Sequence, residues 1–341
     1  MAVMSAFRDG ARRVRGAPMV LIGLFALTLL MALPLSYVLR TMLEAHLGAS
    51  LAANAAAAGA NYDWWQEFLS QASGLGQTFV PSIIGFGAVL DNLEGILDNL
   101  PLASAIVGIT AVWLIVWSFL GGGIVDRLAR ARRTRSHGFF AACGMHFWRL
   151  LRLGAVAWLA YGFLFRYVHS WIFNGLVARL THDVTVERTA FAYRVAGYLL
   201  FGALLLAVNI VLDYARIRLV VEDRRSALGA LLASARFVRR HVTGVVGLYG
   251  LNALAFLLLI LIYAFVARGA PGGRLSTAAA LAIGEAYIMA RLYLKLLFYA
   301  SETALFQGEL AHAAYTAAPA VVWPDSPAAE SIANADRSPV S

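Results

Sequence analysis

Apolar residues run along this chain in six long blocks. Each is close to the roughly 20 residues an α-helix needs to cross a hydrocarbon core. The blocks are Pro18 to Leu39, Leu102 to Val125, Leu153 to Phe173, Tyr193 to Asp213, Val242 to Val266 and Ser276 to Ala300. The pattern predicts an all-α polytopic membrane bundle of about six transmembrane helices. Two further stretches carry apolar residues at helical spacing with polar faces opposite. One holds Phe140, Cys143, Phe147 and Leu150, and the other holds Leu228, Leu231, Ala235 and Val238. Such helices are expected to lie in the inner interface, apolar face down, before the chain enters the next span.

The segment 40–101 is too long for a simple connection. Its "NYDWWQEFLSQ" reads as a helix, with Tyr62, Trp64 and Trp65 suited to the headgroup region. The run from Phe79 to Leu90 is too short to span and is broken by Pro81, Gly85 and Gly87. A re-entrant or interfacial segment fits it, and so does an external cap packed on the bundle. The tail 317–341, rich in Pro, Ala, Ser and acid, reads as disordered. The predicted organisation is a basic N-terminus (1–17), a first span (18–39), an external segment (40–101), a five-helix core (102–300), a cytoplasmic helix end (301–316) and the tail.

Composition supports the membrane reading. Hydrophobic residues make up 60% of the 341 and charged residues only 14%, against about 25% in soluble domains. The net charge of +9 could suggest nucleic acid, but the positions of the basic residues argue otherwise. The segments 1–18, 126–152 and 214–241 hold 18 of the 28 basic residues, and six spans put all three on one side. The intervening 40–101 has one arginine against six acids. By the positive-inside rule both termini are cytoplasmic. A cleaved signal peptide competes for the first block, and the small-residue "LAANAAAAGA" follows it. A signal's apolar core runs only about 7–15 residues, so the length favours an uncleaved anchor. One cysteine, Cys143, excludes an intrachain disulfide and a Cys-based metal site.

The polar groups inside the blocks are the functional leads, because charge in hydrocarbon is costly unless paired or hydrated. Arg166 and Glu285 both fall about 10–13 Å from the outer face, counting about 1.5 Å per residue. Equal depth predicts a salt bridge between spans three and six, with His169 one turn away. Asp213 and Lys295 close spans four and six at similar depth, with Arg291 one turn above. Asn209 and Asn252 are candidates for hydrogen bonds between helices. All could serve as glue between helices, or line a path for substrate or protons. At the inner interface Asp126 and Asp213 mark helix exits and are spaced to pair with Arg130 and Arg216. The arginines beyond would meet anionic phospholipid headgroups, each worth about 1 kcal/mol; a docking surface for a cytoplasmic protein partner is the other reading.

No P-loop, H-E-x-x-H or G-x-S-x-G occurs. The "GGGIV" from Gly121 ends a membrane helix and predicts close helix packing rather than nucleotide binding. The histidines have no metal-ligand spacing, and His182 with Asp183 reads as solvated surface in an external loop. The sequence therefore names no catalytic residue, cofactor or metal. At an offset of ninety, Ser136 meets Ser226, Phe147 meets Phe237 and Arg149 meets Arg239, which suggests a duplicated unit of span, aspartate, basic stretch and amphipathic helix.

The alternation of spans with "VDRLARARR" and "LDYARIRLVVEDRRSALGALLASARFVRRH" resembles a group of bacterial multi-pass proteins that includes the membrane domain attached to some glycerophosphodiester phosphodiesterases. The resemblance covers roughly Leu102 to Ala300 and rests on the Asp213–Arg216 exit and the amphipathic helix after it. It implies a helical fold in a bacterial inner membrane. The soluble phosphodiesterase domain has no counterpart in these residues, so no catalytic residue carries over. The expected function is a non-enzymatic subunit or scaffold of a membrane assembly, or a factor in envelope and lipid homeostasis. A transporter or permease with a polar site between helices is the alternative, and a lipid-acting enzyme is the third reading.

Overall fold

The computed structural model describes residues 3–48, 50–58, 61–79, 93–99, 104–131, 134–267 and 274–310. Among these residues there are helices and no strand. In chain order the helices are α1 (Val3–Arg15), α2 (Pro18–Leu47), α3 (Ala53–Ala58), α4 (Tyr62–Gln71), α5 (Ser104–Arg130), α6 (Ser136–Phe163), α7 (Ala178–Thr181), α8 (Glu187–Val221), α9 (Ala227–Arg240), α10 (Val242–Val266) and α11 (Arg274–Glu309). A 3-10 turn follows α4 at Gly74–Thr78, and two π-helical stretches, Leu164–His169 and Trp171–Val177, join α6 to α7.

Four helices are long and apolar enough to cross a membrane: Pro18–Leu47, Ile106–Arg130, Glu187–Val221 and Val242–Val266. Only 6% to 22% of each apolar window is buried within the fold. The remainder, including Leu30, Leu33, Leu199, Leu257 and Phe265, is exposed. Water would not tolerate apolar surface on that scale, whereas lipid does. The other two expected spans are helical throughout. They are more polar: α11 carries Glu285, Arg291 and Lys295, and the outer rod after α6 carries Arg166 and His169.

The core lies at the end of the bundle where the basic segments gather. The last turns of α5, α8 and α11 meet there with α1, α9 and the first half of α6. Ala6, Leu128, Cys143, Ala230, Leu248 and Phe306 are all enclosed. The N-terminal segment, expected only as a basic extension, is thus a docked helix. It puts the small-residue face of Ala6, Gly10 and Val14 against α11. Gly10 makes this contact possible, since a Cβ there would lie 2.6 Å from the Ser301 backbone nitrogen. The orphan carbonyls at the end of α5 find donors from both partners. Arg13 donates to Leu128 O (3.1 Å) and to Gln307 Oε1 (2.7 Å), and Gln307 Nε2 donates to Ala129 O (3.2 Å).

The glycine run acts as a close-packing surface. A Cβ on Gly122 would fall 2.8 Å from His146 Cβ, and one on Gly123 would fall 2.5 Å from Cys143 Sγ. This lets α5 and α6 pack backbone to backbone, and burial pushes the Cys143 thiol up to about 11.

The two basic amphipathic stretches take different geometries. The first is the start of α6 and runs straight into the next helical rod. The second is a separate helix, α9. Ser226 caps it by accepting from Gly229 N (3.1 Å), and a break at His241 ends it. Their burial patterns also depart from the expected faces. Helix α9 packs inward through Ala227, Ala230, Ser234 and Phe237, while Leu228 and Leu232 stay exposed. Phe140 is likewise exposed, while Cys143 and Leu150 are buried. The duplicated unit therefore does not extend to a shared geometry.

At the opposite end of α2 from α1, α4 begins at Asn61, whose Oδ1 accepts from Trp64 N (3.0 Å). Trp64 is buried rather than placed at headgroups: its ring stacks on Phe68, and its Nε1 donates to His46 Nδ1 on α2 (3.0 Å). This is a small cap packed on the first membrane helix. The run 79–90, expected as a re-entrant or interfacial segment or as an external cap, lies outside the described residues beyond Phe79, as does the tail 317–341. The described piece, 93–99, docks on Phe165 and His169 of the rod and on Tyr198 of α8.

Candidate functional site

The end of α8 turns polar where the helix enters the core, and its side chains organise a network across five helices. Asp213 accepts from Arg216 one turn on (2.8 Å). Asn209, one turn before, donates from Nδ2 to Asp213 Oδ2 (3.0 Å). The same Asn209 reaches two neighbours. It donates to the Tyr249 hydroxyl on α10, and its Oδ1 accepts from the Tyr161 hydroxyl on α6 (3.1 Å). Arg216 also donates to the Tyr299 hydroxyl on α11 (2.7 Å), which accepts in addition from Trp117 Nε1 on α5 (3.1 Å). Lys295 places its Nζ 3.5 Å above the Trp117 ring. A cation over a desolvated indole is worth about 2 kcal/mol.

Glu302 completes the cluster. It is 1% exposed, neither carboxylate oxygen has a hydrogen-bond partner among the described residues, and it feels the charges of Asp213 and Arg216. Two carboxylates and two cations thus share one buried region. Nearby, Asn252 of α10 donates to Ser301 of α11 (2.9 Å). Both asparagines expected to bridge helices do form such bonds.

Above this network α6, α8 and α10 leave an open groove of about 490 Å³. Its walls are Phe165, Gly202, Leu205 and Leu206, with Ile96 from the external segment. Among the described residues the polar side chains in its lining are Tyr161, Asn209 and Tyr249, so the network forms the groove's floor.

The other predicted residues lie elsewhere. Arg166 is exposed, and no ion pair or hydrogen bond joins it to Glu285, which is half-buried with Oε2 unpartnered. The expected bridge is therefore not formed. Equal depth fixes height, but the stretch Leu164–His169 and α11 are not packed neighbours, so the two side chains face different surroundings. His169 instead holds the external piece. Its Nε2 donates to Leu97 O (2.8 Å), and its ring packs on Phe173 and Phe201. Asn99 supports it by donating to Phe165 O (3.2 Å), and Tyr198 donates to Asp98. Arg291 is exposed. Asp126 pairs with Arg130 (2.7 Å) outside the network. Arg149 pairs with Asp223, tying the first basic segment to the α8–α9 corner.

Sequence reasoning missed Tyr161, Tyr249, Trp117, Tyr299 and Glu302. Tyrosines and tryptophans are ordinary in membrane helices, so their roles show only through their partners. Glu302 sits two residues past the last expected span, although its helix continues buried through Gln307.

No family model, no curated protein and no solved structure matches this chain.

Proposed function

We propose that this chain is a six-span protein of a bacterial inner membrane, with both termini cytoplasmic, that acts as a non-enzymatic subunit or lipid-handling factor. In this reading the rod from α6 and the helix α11 also cross the bilayer. Helix α9 then lies at the inner leaflet, with Leu228 and Leu232 toward lipid and the exposed Arg225, Arg236 and Arg239 toward anionic headgroups. The charge asymmetry between alternate loops supports this threading. The relation to the phosphodiesterase-linked membrane domain is proposed at the level of fold alone, on the Asp213–Arg216 exit.

The observation that carries the non-enzymatic reading is the use made of the buried charges. Asp213, Arg216 and Lys295 are spent on Asn209, Tyr299 and Trp117, inside the packing of α5, α8 and α11. Catalysis would need such groups aimed at a space where substrate can sit; among the described residues the polar side chains that meet the groove are two tyrosines and an asparagine. A transporter is the second reading, favoured by Glu302, a buried carboxylate without a hydrogen-bond partner that could carry a proton.

Native mass spectrometry of the protein, gently extracted from its own membranes, tests the reading. A stoichiometric protein partner or retained lipid is expected. A bare chain that moves solute in liposomes, with flux lost in Glu302→Gln at unchanged fold, would overturn it in favour of transport.

A further inference from the structure

Hydrogen-bond accounting at the groove floor identifies what the groove can hold. The Asp213 carboxylate only accepts, so the Asn209 amide nitrogen must face it. This orientation turns Asn209 Oδ1 to Tyr161, and the Tyr161 hydroxyl must be the donor of that bond. Both hydrogens of the amide are then used, one on Asp213 and one on the Tyr249 oxygen. One donor is left unused at the floor among the described residues, beside acceptor lone pairs that include the second one on Asn209 Oδ1. Tyr249 has its O–H hydrogen to give, and Tyr161 has lone pairs to accept with.

We infer that the groove between α6, α8 and α10 binds the hydroxyl end of a neutral lipid, with the alkyl chain lying along Phe165, Gly202, Leu205 and Leu206. A hydroxyl accepts from Tyr249 and donates to Tyr161 at once. A carbonyl or ether oxygen can only accept, and uses one of the two. Charged headgroups do not fit. Among the described residues no carboxylate or cation lines the groove, and Asp213, which Asn209 contacts from the floor, is paired with Arg216. The walls are apolar, and the size is that of a ligand pocket rather than a packing defect. Gly202 keeps the groove open: a Cβ there would meet nothing within 4 Å. The inference rests on the membrane placement proposed above and not on the subunit reading.

The test uses the purified full chain in detergent and a photoactivatable long-chain alcohol, with its matched methyl ether as competitor. Labelling of the α8 segment around 202–209 is expected. The unlabelled alcohol should compete about five- to tenfold better than the ether, the value of one net hydrogen bond. Gly202→Leu adds its Cβ in open space and puts an isobutyl group in the groove, and should abolish labelling at an unchanged thermal unfolding midpoint. Equal competition by alcohol and ether, absence of labelling, or full labelling of a folded Gly202→Leu would each overturn the inference. The wild-type competition stands even if the variant does not fold. A protein partner found by mass spectrometry would leave these outcomes unchanged, so the two claims fail separately.

Discussion

Replacing Gly10 with alanine tests how α1 is held. The added Cβ would lie 2.6 Å from Ser301 N, 2.7 Å from its Cα and 2.8 Å from its Cβ. The nearest two atoms are backbone of α11, buried in the core, and they cannot swing aside. Relief must come from moving α1, which strains the Arg13 bonds to Leu128 O and Gln307. Overpacking of this kind costs up to about 3 kcal/mol. Alanine returns about 1 kcal/mol through helix propensity. The net destabilisation is about 2 kcal/mol, or about 3 °C in Tm for a chain of this size. Gly23→Ala is the matched control, because its Cβ would meet nothing within 4 Å and only the propensity gain remains. Thermal unfolding in detergent, followed by tryptophan fluorescence, reads both variants. A Gly10→Ala midpoint at or above that of Gly23→Ala would refute the docking.

Asp213→Asn leaves Arg216 buried without its counter-charge and should cost about 3–5 kcal/mol, read as a large drop in the same midpoint; a small change would mean the network is not held by this pair. Arg166→Gln and Glu285→Gln should give additive effects in a double-mutant cycle, since no bond joins them, and a coupling above about 0.5 kcal/mol would contradict their placement. Burial, reinforced by the Arg149 guanidinium, lowers the His146 pKa. The unfolded chain then takes up the proton first, so stability holds above about pH 6.5 and falls as pH drops toward the lowered folded value. His146→Gln should flatten that acid limb of Tm against pH, and an unchanged limb would remove His146 as its source.

The sequence carried the large features because they depend on local composition. Long apolar runs, the arginine asymmetry and the Gly121–Gly123 run each follow from a contiguous stretch, as do the Asp126–Arg130 and Asp213–Arg216 spacings. What it could not carry depends on which helices meet, and by which face. Arg166 and Glu285 were matched by counting along their helices, but the helices that carry them do not pack against each other. The docking of α1 was visible only as small residues at Ala6 and Gly10 with Val14 beyond, a face that composition alone reads as a basic tail. The groove needs α6, α8 and α10 to part at one level. No linear pattern encodes that, although Gly202 is the residue that leaves the space.

The central claim is that α6 with its π-helical extension crosses the membrane, giving six spans rather than four. A cysteine at Asp183, whose side chain is 96% exposed between that rod and α8, tests it directly. The native Cys143 is enclosed and its thiol pushed up to about 11, so it contributes little background. Intact cells carrying Asp183→Cys should be labelled by a membrane-impermeant maleimide from outside. Labelling only after the membrane is opened would put residue 183 in the cytoplasm, as a four-span threading through α2, α5, α8 and α10 requires, and would contradict the account.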